Sequence, residues 1–131
     1  MMIKKRLRVG LVGCGGVAQW AHIPALKKVK NAELVAVCDR NEELASIVAK
    51  NFRIHRYYAD FPQMLEKEGL DMVEICTPPK THASLSIKAI ESGCHVLVEK
   101  PMAMTTKEAD EMIRASKDSK VKLGVVHNKE F

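Results

Sequence analysis

Residues 7–18 read LRVGLVGCGGVA. Leu7 to Val12 is a short apolar run of the kind that forms a strand covered on both faces. Directly after it, Gly13-Cys14-Gly15-Gly16-Val17-Ala18 fits the pattern G-x-G-x-x-G/A. Gly13 suits the tight turn, and Gly15 lets the backbone approach a pyrophosphate. Ala18 is small enough for helix and strand to pack closely. The helix opened by Gly16 and Val17 offers free N–H groups to an anion. Gly13, Gly15, Gly16, Val17 and Ala18 are therefore candidate dinucleotide contacts.

A second feature agrees. Asp39 follows the apolar run Leu34–Cys38, 21 residues after Ala18. An acid there accepts hydrogen bonds from the adenosine ribose hydroxyls. It also repels a 2′-phosphate, which favours NAD. Arg40 beside it can accommodate that phosphate, so NADP stays open. The competing reading of Asp39 is a plain turn before Asn41.

Outward from this loop the pattern repeats. Further apolar runs cover Met72–Cys76, Val96–Val98 and Leu123–Val126, with a weaker run, Arg56–Ala59, fit for an edge strand. Helical signals lie between them. Asn41 precedes Glu42 and Glu43, Asp60 pairs with Gln63, and Thr105 pairs with Glu108, each at a predicted helix start. Gly69 and Gly93 suit helix ends. Strand and helix alternate to the last residue. The expected fold is a doubly wound α/β domain of the Rossmann type. It has three layers and a mainly parallel sheet, as a single domain over 1–131.

Composition supports one ordinary domain. The chain has 131 residues, 47% apolar and 28% charged. That excludes a disordered chain, a collagen and a small disulfide scaffold, and most two-domain enzymes. The net charge is +5, but Lys4, Lys5, Arg6 and Arg8 carry most of it. Removing those four from 21 bases leaves 17 against 16 acids. A short basic leader with few aromatics does not read as a nucleic-acid surface. Cys14, Cys38, Cys76 and Cys94 match no metal spacing and read as small buried residues of a reducing cytoplasm. A redox role for Cys14, close to the expected pyrophosphate, stays open without a feature that supports it. Four glycines interrupt the apolar stretch after the leader, which makes a poor signal core, and no run reaches a membrane span. The expected location is the cytoplasm.

Two later segments narrow the reading. Thr77-Pro78-Pro79-Lys80-Thr81-His82 follows one predicted strand, and Glu99-Lys100-Pro101 follows another. Both lie at strand C-terminal ends, where open α/β sheets bind ligands. With the glycine loop, the segment His22–Leu26 and the stretch Gly93–Pro101, the chain resembles the N-terminal domain of the Gfo/Idh/MocA oxidoreductases over essentially its whole length.

The resemblance implies NAD(P)-dependent hydride transfer at a carbon bearing a hydroxyl or carbonyl, on a sugar or cyclitol. It implies that Lys100 reaches the nicotinamide and substrate and polarises or deprotonates the hydroxyl. It places Glu99 near the nicotinamide ribose and a cis peptide before Pro101. It also implies a second domain for substrate and oligomer contacts, with a D-x-x-x-H pair. This chain stops at Gly124–Phe131, which resembles the handover strand, so that domain is absent from it. The expectation is a cofactor-binding domain with little turnover alone. The alternatives are a stand-alone dinucleotide sensor, or a separate partner chain that supplies the substrate domain. Homo-oligomerisation is open.

Several residues carry two readings. Thr77 and Pro78 either line the cofactor groove or stop a strand. His82 either contacts the ligand or hydrogen-bonds within the protein, and is counted with the site. His22 and His95 read as structural. Trp20 is expected to pack rather than to cover the cofactor. Glu74 lies inside an apolar run, so it needs a partner, solvent or a domain contact.

Overall fold

Six parallel strands carry the chain, in the spatial order β3-β2-β1-β4-β5-β6. The structure, a computed structural model, describes residues 6–126. The strands are β1 (Leu7–Val12), β2 (Ala32–Cys38), β3 (Arg56–Tyr58), β4 (Met72–Ile75), β5 (His95–Glu99) and β6 (Leu123–Val126). They alternate with α1 (Ile23–Lys27), α2 (Glu42–Asn51), α3 (Phe61–Glu68), α4 (His82–Glu91) and α5 (Thr106–Asp118). The order reverses between β1 and β4, as in the doubly wound dinucleotide-binding fold. Each predicted run forms a strand, and the weak run Arg56–Ala59 supplies the edge strand β3.

Both faces of the sheet are covered, which explains why the strands do not alternate in polarity. Val9, Leu11, Ile23, Val37 and Val48 pack together on the α1 and α2 side. Met64, Val73, Ile75, Ile90, Val98 and Met112 pack on the α3, α4 and α5 side. Successive side chains of a strand point to opposite faces. Val73 and Ile75 therefore enter one core, and Glu74 between them points toward the first helix.

The predicted caps form. Asn41 Oδ1 accepts from the Leu44 amide at 3.2 Å, and Asp60 Oδ2 from Gln63 at 3.1 Å. Thr105 Oγ1 accepts from Glu108 N, while Glu108 Oε1 accepts from Met104 N at 2.9 Å. Each satisfies helix-start donors that have no intrahelical partner, worth about 1 kcal/mol apiece. Gly69 ends α3 with φ of 59°.

The helix after the glycine loop departs from expectation. It opens at Gly16, then residues Ala18–His22 form a π-helical turn before α1. The wider turn changes which side chains face inward. Trp20 points into solvent and is 88% exposed, so the packing role expected for it is wrong within this domain. His22, two residues on, is buried.

The basic leader has structural work. Arg6 donates to the carbonyl of Ala32 at 3.0 Å. Arg8 donates to the Glu68 carbonyl at 2.8 Å and pairs with the Glu68 carboxylate at 3.3 Å. Lys4, Lys5 and the handover residues His127–Phe131 lie outside the described residues. Among the described residues, no helix is long and apolar enough to cross a membrane.

Candidate functional site

A cleft of about 660 Å³ opens at the C-terminal ends of β1, β2 and β4, beside the point where strand order reverses. Gly13 forms its floor. Its φ is +96°, and its amide donates to the Cys38 carbonyl at 2.8 Å. A Cβ there would meet the Cys76 carbonyl carbon and the Thr77 nitrogen, both at 2.7 Å. Backbone cannot move aside as a side chain can. Gly13→Ala is therefore expected to lower stability by about 2–4 kcal/mol, from a disfavoured φ plus the overlap. Chemical denaturation of the chain checks this, and a loss under about 0.5 kcal/mol would contradict it.

Gly15 and Gly16 differ from Gly13. Nothing lies within 4 Å of a Cβ built on either. Both are exposed at the start of a helix, and Gly15 lines the cleft. Val17 is also exposed beside them, and Ala18 is fully buried against the sheet. The space that a side chain would fill at Gly15 and Gly16 is thus open. This fits the spacing argument for a pyrophosphate cradle.

Asp39 sits on the cleft's β2 side. Its Oδ2 accepts from the Cys14 amide and its Oδ1 from the Asn41 amide, both at 2.8 Å. The second bond is the turn that competed as a reading of this residue. The first ties the acid to the glycine loop. Each carboxylate oxygen keeps a further lone-pair site, so the aimed side chain can still accept from a diol. Arg40 lines the same cleft and is exposed.

Thr77 and Pro78 form the opposite wall. Thr81 Oγ1 lies 2.7 Å from both Thr77 Oγ1 and the Pro78 carbonyl, which fixes that wall. His82 does not reach the cleft, and its expected ligand contact is corrected. It is fully buried, with Nδ1 2.8 Å from the Pro101 carbonyl and Nε2 2.7 Å from the Thr77 carbonyl. It ties the loop after β4 to the loop after β5. The walls also include Lys80 and Thr81 of the Thr77–His82 segment, not singled out as contacts from the sequence, and Ser84, which lies beyond that segment.

Glu99 and Lys100 lie at the end of the neighbouring strand β5, past the walls just described. Lys100 is exposed, and among the described residues it forms no ion pair. The Lys100–Pro101 peptide is cis. Glu99 accepts from His22 Nε2 at 2.5 Å, and Glu74 accepts from His22 Nδ1 at 2.6 Å. This answers the question that Glu74 posed: its partner is a histidine from the π-helical turn. The surrounding Cys76, Glu74 and Glu99 side chains outweigh burial and push His22 up to about 11. His22 is thus structural, as read, but it carries charge.

The thiols behave as buried apolar groups. Burial, reinforced by the Asp39 carboxylate, pushes Cys14 and Cys38 up to about 12. That suppresses the thiolate and with it the redox chemistry left open for Cys14. Among the described residues, no group of three His, Cys, Asp or Glu side chains is arranged to hold a metal.

Comparison with known proteins agrees with this geometry. Residues 7–127 match the family model GFO_IDH_MocA, described as an oxidoreductase family with an NAD-binding Rossmann fold. The chain is 37% identical over 125 residues to a D-glucoside 3-dehydrogenase of Escherichia coli, covering 95% of the chain and 34% of that protein. It is 28% identical to a myo-inositol 2-dehydrogenase of Thermotoga maritima, covering 95% of the chain and 37% of that protein. A solved structure of the WlbA dehydrogenase from Chromobacterium violaceum, in complex with NADH and UDP-GlcNAcA, superposes with a TM-score of 0.89 at 35% identity. That match covers 95% of the chain and 36% of the solved one. The chain spans between 33% and 39% of the length of three curated relatives that it matches.

Proposed function

The chain belongs to the Gfo/Idh/MocA oxidoreductase family, and from that premise we propose that it is the nicotinamide-dinucleotide-binding half of a dehydrogenase acting on a hydroxyl-bearing carbon of a sugar or cyclitol. The carrying observation is the joint placement of two groups at one cleft. The space that a side chain would fill at Gly15 and Gly16, at the helix start, is open, and the Asp39 carboxylate is tied to the same loop. The cleft fits a dinucleotide in size and in the chemistry of its walls.

In this reading Gly15, Gly16 and Val17 hold the pyrophosphate through backbone amides. Asp39 accepts from the adenosine ribose, which favours NAD, and Arg40 and Lys80 flank that end. Thr77 and Pro78 carry the dinucleotide across the sheet toward β5. When bound, the nicotinamide supplies the hydride acceptor. Lys100 binds the substrate hydroxyl, lowers the cost of its deprotonation and holds the proton at Nζ. His82 fixes the two loops on which Thr77 and Lys100 stand. In this reading the domain by itself binds cofactor and turns over little. Lys100 favours this over a dinucleotide sensor, which has no use for a lysine placed to act on a hydroxyl.

Titration of the chain with NADH tests the reading. Saturable binding with energy transfer or a shift in cofactor fluorescence is expected, and no binding at millimolar NADH would overturn it. Asp39→Ala is expected to weaken NAD by about tenfold relative to NADP, because the variant loses the ribose hydrogen bonds and the repulsion of a 2′-phosphate. An unchanged ratio would remove Asp39 from the ribose.

A further inference from the structure

His22, Glu74 and Glu99 come from the π-helical turn, β4 and β5, and they meet in one cluster on the α1 face of the sheet. His22 is 6% exposed, Glu74 5%, and the Glu99 side chain 12%. Both ring nitrogens face carboxylate oxygens, at 2.6 and 2.5 Å. Carboxylate oxygens only accept, so the ring donates twice, and only the imidazolium carries both protons. Two carboxylates and one imidazolium leave one net negative charge. The Cys76 thiol is the other titratable group against His22, and burial raises its pKa and keeps it neutral. The cluster is therefore a fixed charge with little water around it to screen it. The nearby Lys100 side chain is exposed, so solvent screens the charge it carries.

The strand order says what that charge faces. Asp39 marks the adenosine side of the glycine loop, over β2. The order β2-β1-β4-β5 puts Thr77 and Glu99 on the other side. A dinucleotide spanning the switch point lays its second nucleotide over the ends of β4 and β5. Glu99, the least buried member of the cluster, lies at that end. A nicotinamide ring is cationic when oxidised and neutral when reduced.

We propose that the His22–Glu74–Glu99 cluster is a fixed negative charge that biases this site toward the oxidised dinucleotide. This rests on the cofactor reading above and adds to it a selectivity between redox states. The charge stabilises the cationic ring and does nothing for the neutral one. It also holds the end of β5, and so the base of Lys100, through His22.

Glu74→Gln removes one negative charge while keeping an oxygen that accepts from His22. Dissociation constants for NAD by calorimetry and for NADH by fluorescence are to be measured on the chain and the variant. The ratio of the NAD constant to the NADH constant is expected to rise by about three- to tenfold, the size of one charge acting through partly screened protein. Glu99→Gln, at the strand end, is expected to move the ratio in the same direction and serves if Glu74→Gln does not fold. A ratio within twofold of the parent, or equal weakening of both forms, overturns the proposal, since a merely structural role moves both alike. Loss of folding in both variants also overturns it, by assigning the cluster to the core alone. If the parent chain binds neither form, the cofactor reading fails instead.

Discussion

Replacing His22 with leucine is expected to cost the chain about 3–5 kcal/mol, the usual result of removing one partner from a buried charge network. The shape loss is small, but Glu74 and Glu99 would then face each other across an apolar side chain. Neither could keep its charge cheaply, and neither would have a donor. Urea denaturation at neutral pH measures the loss, and a change under about 1 kcal/mol would mean that the carboxylates find other donors. The pH dependence supplies a second readout. His22 is raised from 6.5 to about 11 in the folded protein, first by Cys76 against it and then by its hydrogen bonds with Glu74 and Glu99. A folded value above the unfolded one stabilises fully below pH 6.5. That stabilisation drains away as pH rises from 6.5 toward 11. The parent chain should therefore lose stability across this alkaline range, and the leucine variant should lose less.

The cluster also shows where sequence reasoning ends. Asn41, Asp60 and Thr105 each act on an amide three residues away, so their roles are visible in a short window. The strands are visible because both sheet faces are covered and the runs are uninterrupted. Gly13 is visible because only a glycine takes its φ, although the reason no Cβ fits lies 63 residues on, in the Cys76 carbonyl. His22 lies 52 residues from Glu74 and 77 from Glu99, and no local pattern links them. Glu74 looked anomalous because burying a carboxylate is costly, but its partner depended on a π-helical turn that shifts the register of side chains after Gly16. The same turn puts Trp20 into solvent, against its hydrophobicity. His82 misled for a related reason. Its place beside Thr77-Pro78 suggested the ligand, while its ring was committed to two backbone carbonyls, one of them 19 residues away.

These long-range ties bear on the residue that the proposed chemistry needs most. Lys100 stands on a strand end held from below by Glu99 and His22, followed by a loop held by His82 through the Pro101 carbonyl. Its own side chain makes no ion pair among the described residues and is exposed. An amine placed by its neighbours yet without an ion-pair partner is available to a substrate hydroxyl, whose proton it takes in its neutral form, since an ammonium has no lone pair. Lys100→Met keeps the aliphatic stem and removes the amine. Assayed in the enzyme together with its substrate half, it is expected to lower kcat by about 100- to 10,000-fold, the range for losing a positioned proton acceptor. NADH binding should change by less than about threefold, because the pyrophosphate and ribose contacts assigned to Gly15, Gly16 and Asp39 lie elsewhere in the cleft. Loss of cofactor affinity in proportion to kcat would make Lys100 a binding residue. Retained turnover would move the proton acceptor to the other half of the enzyme.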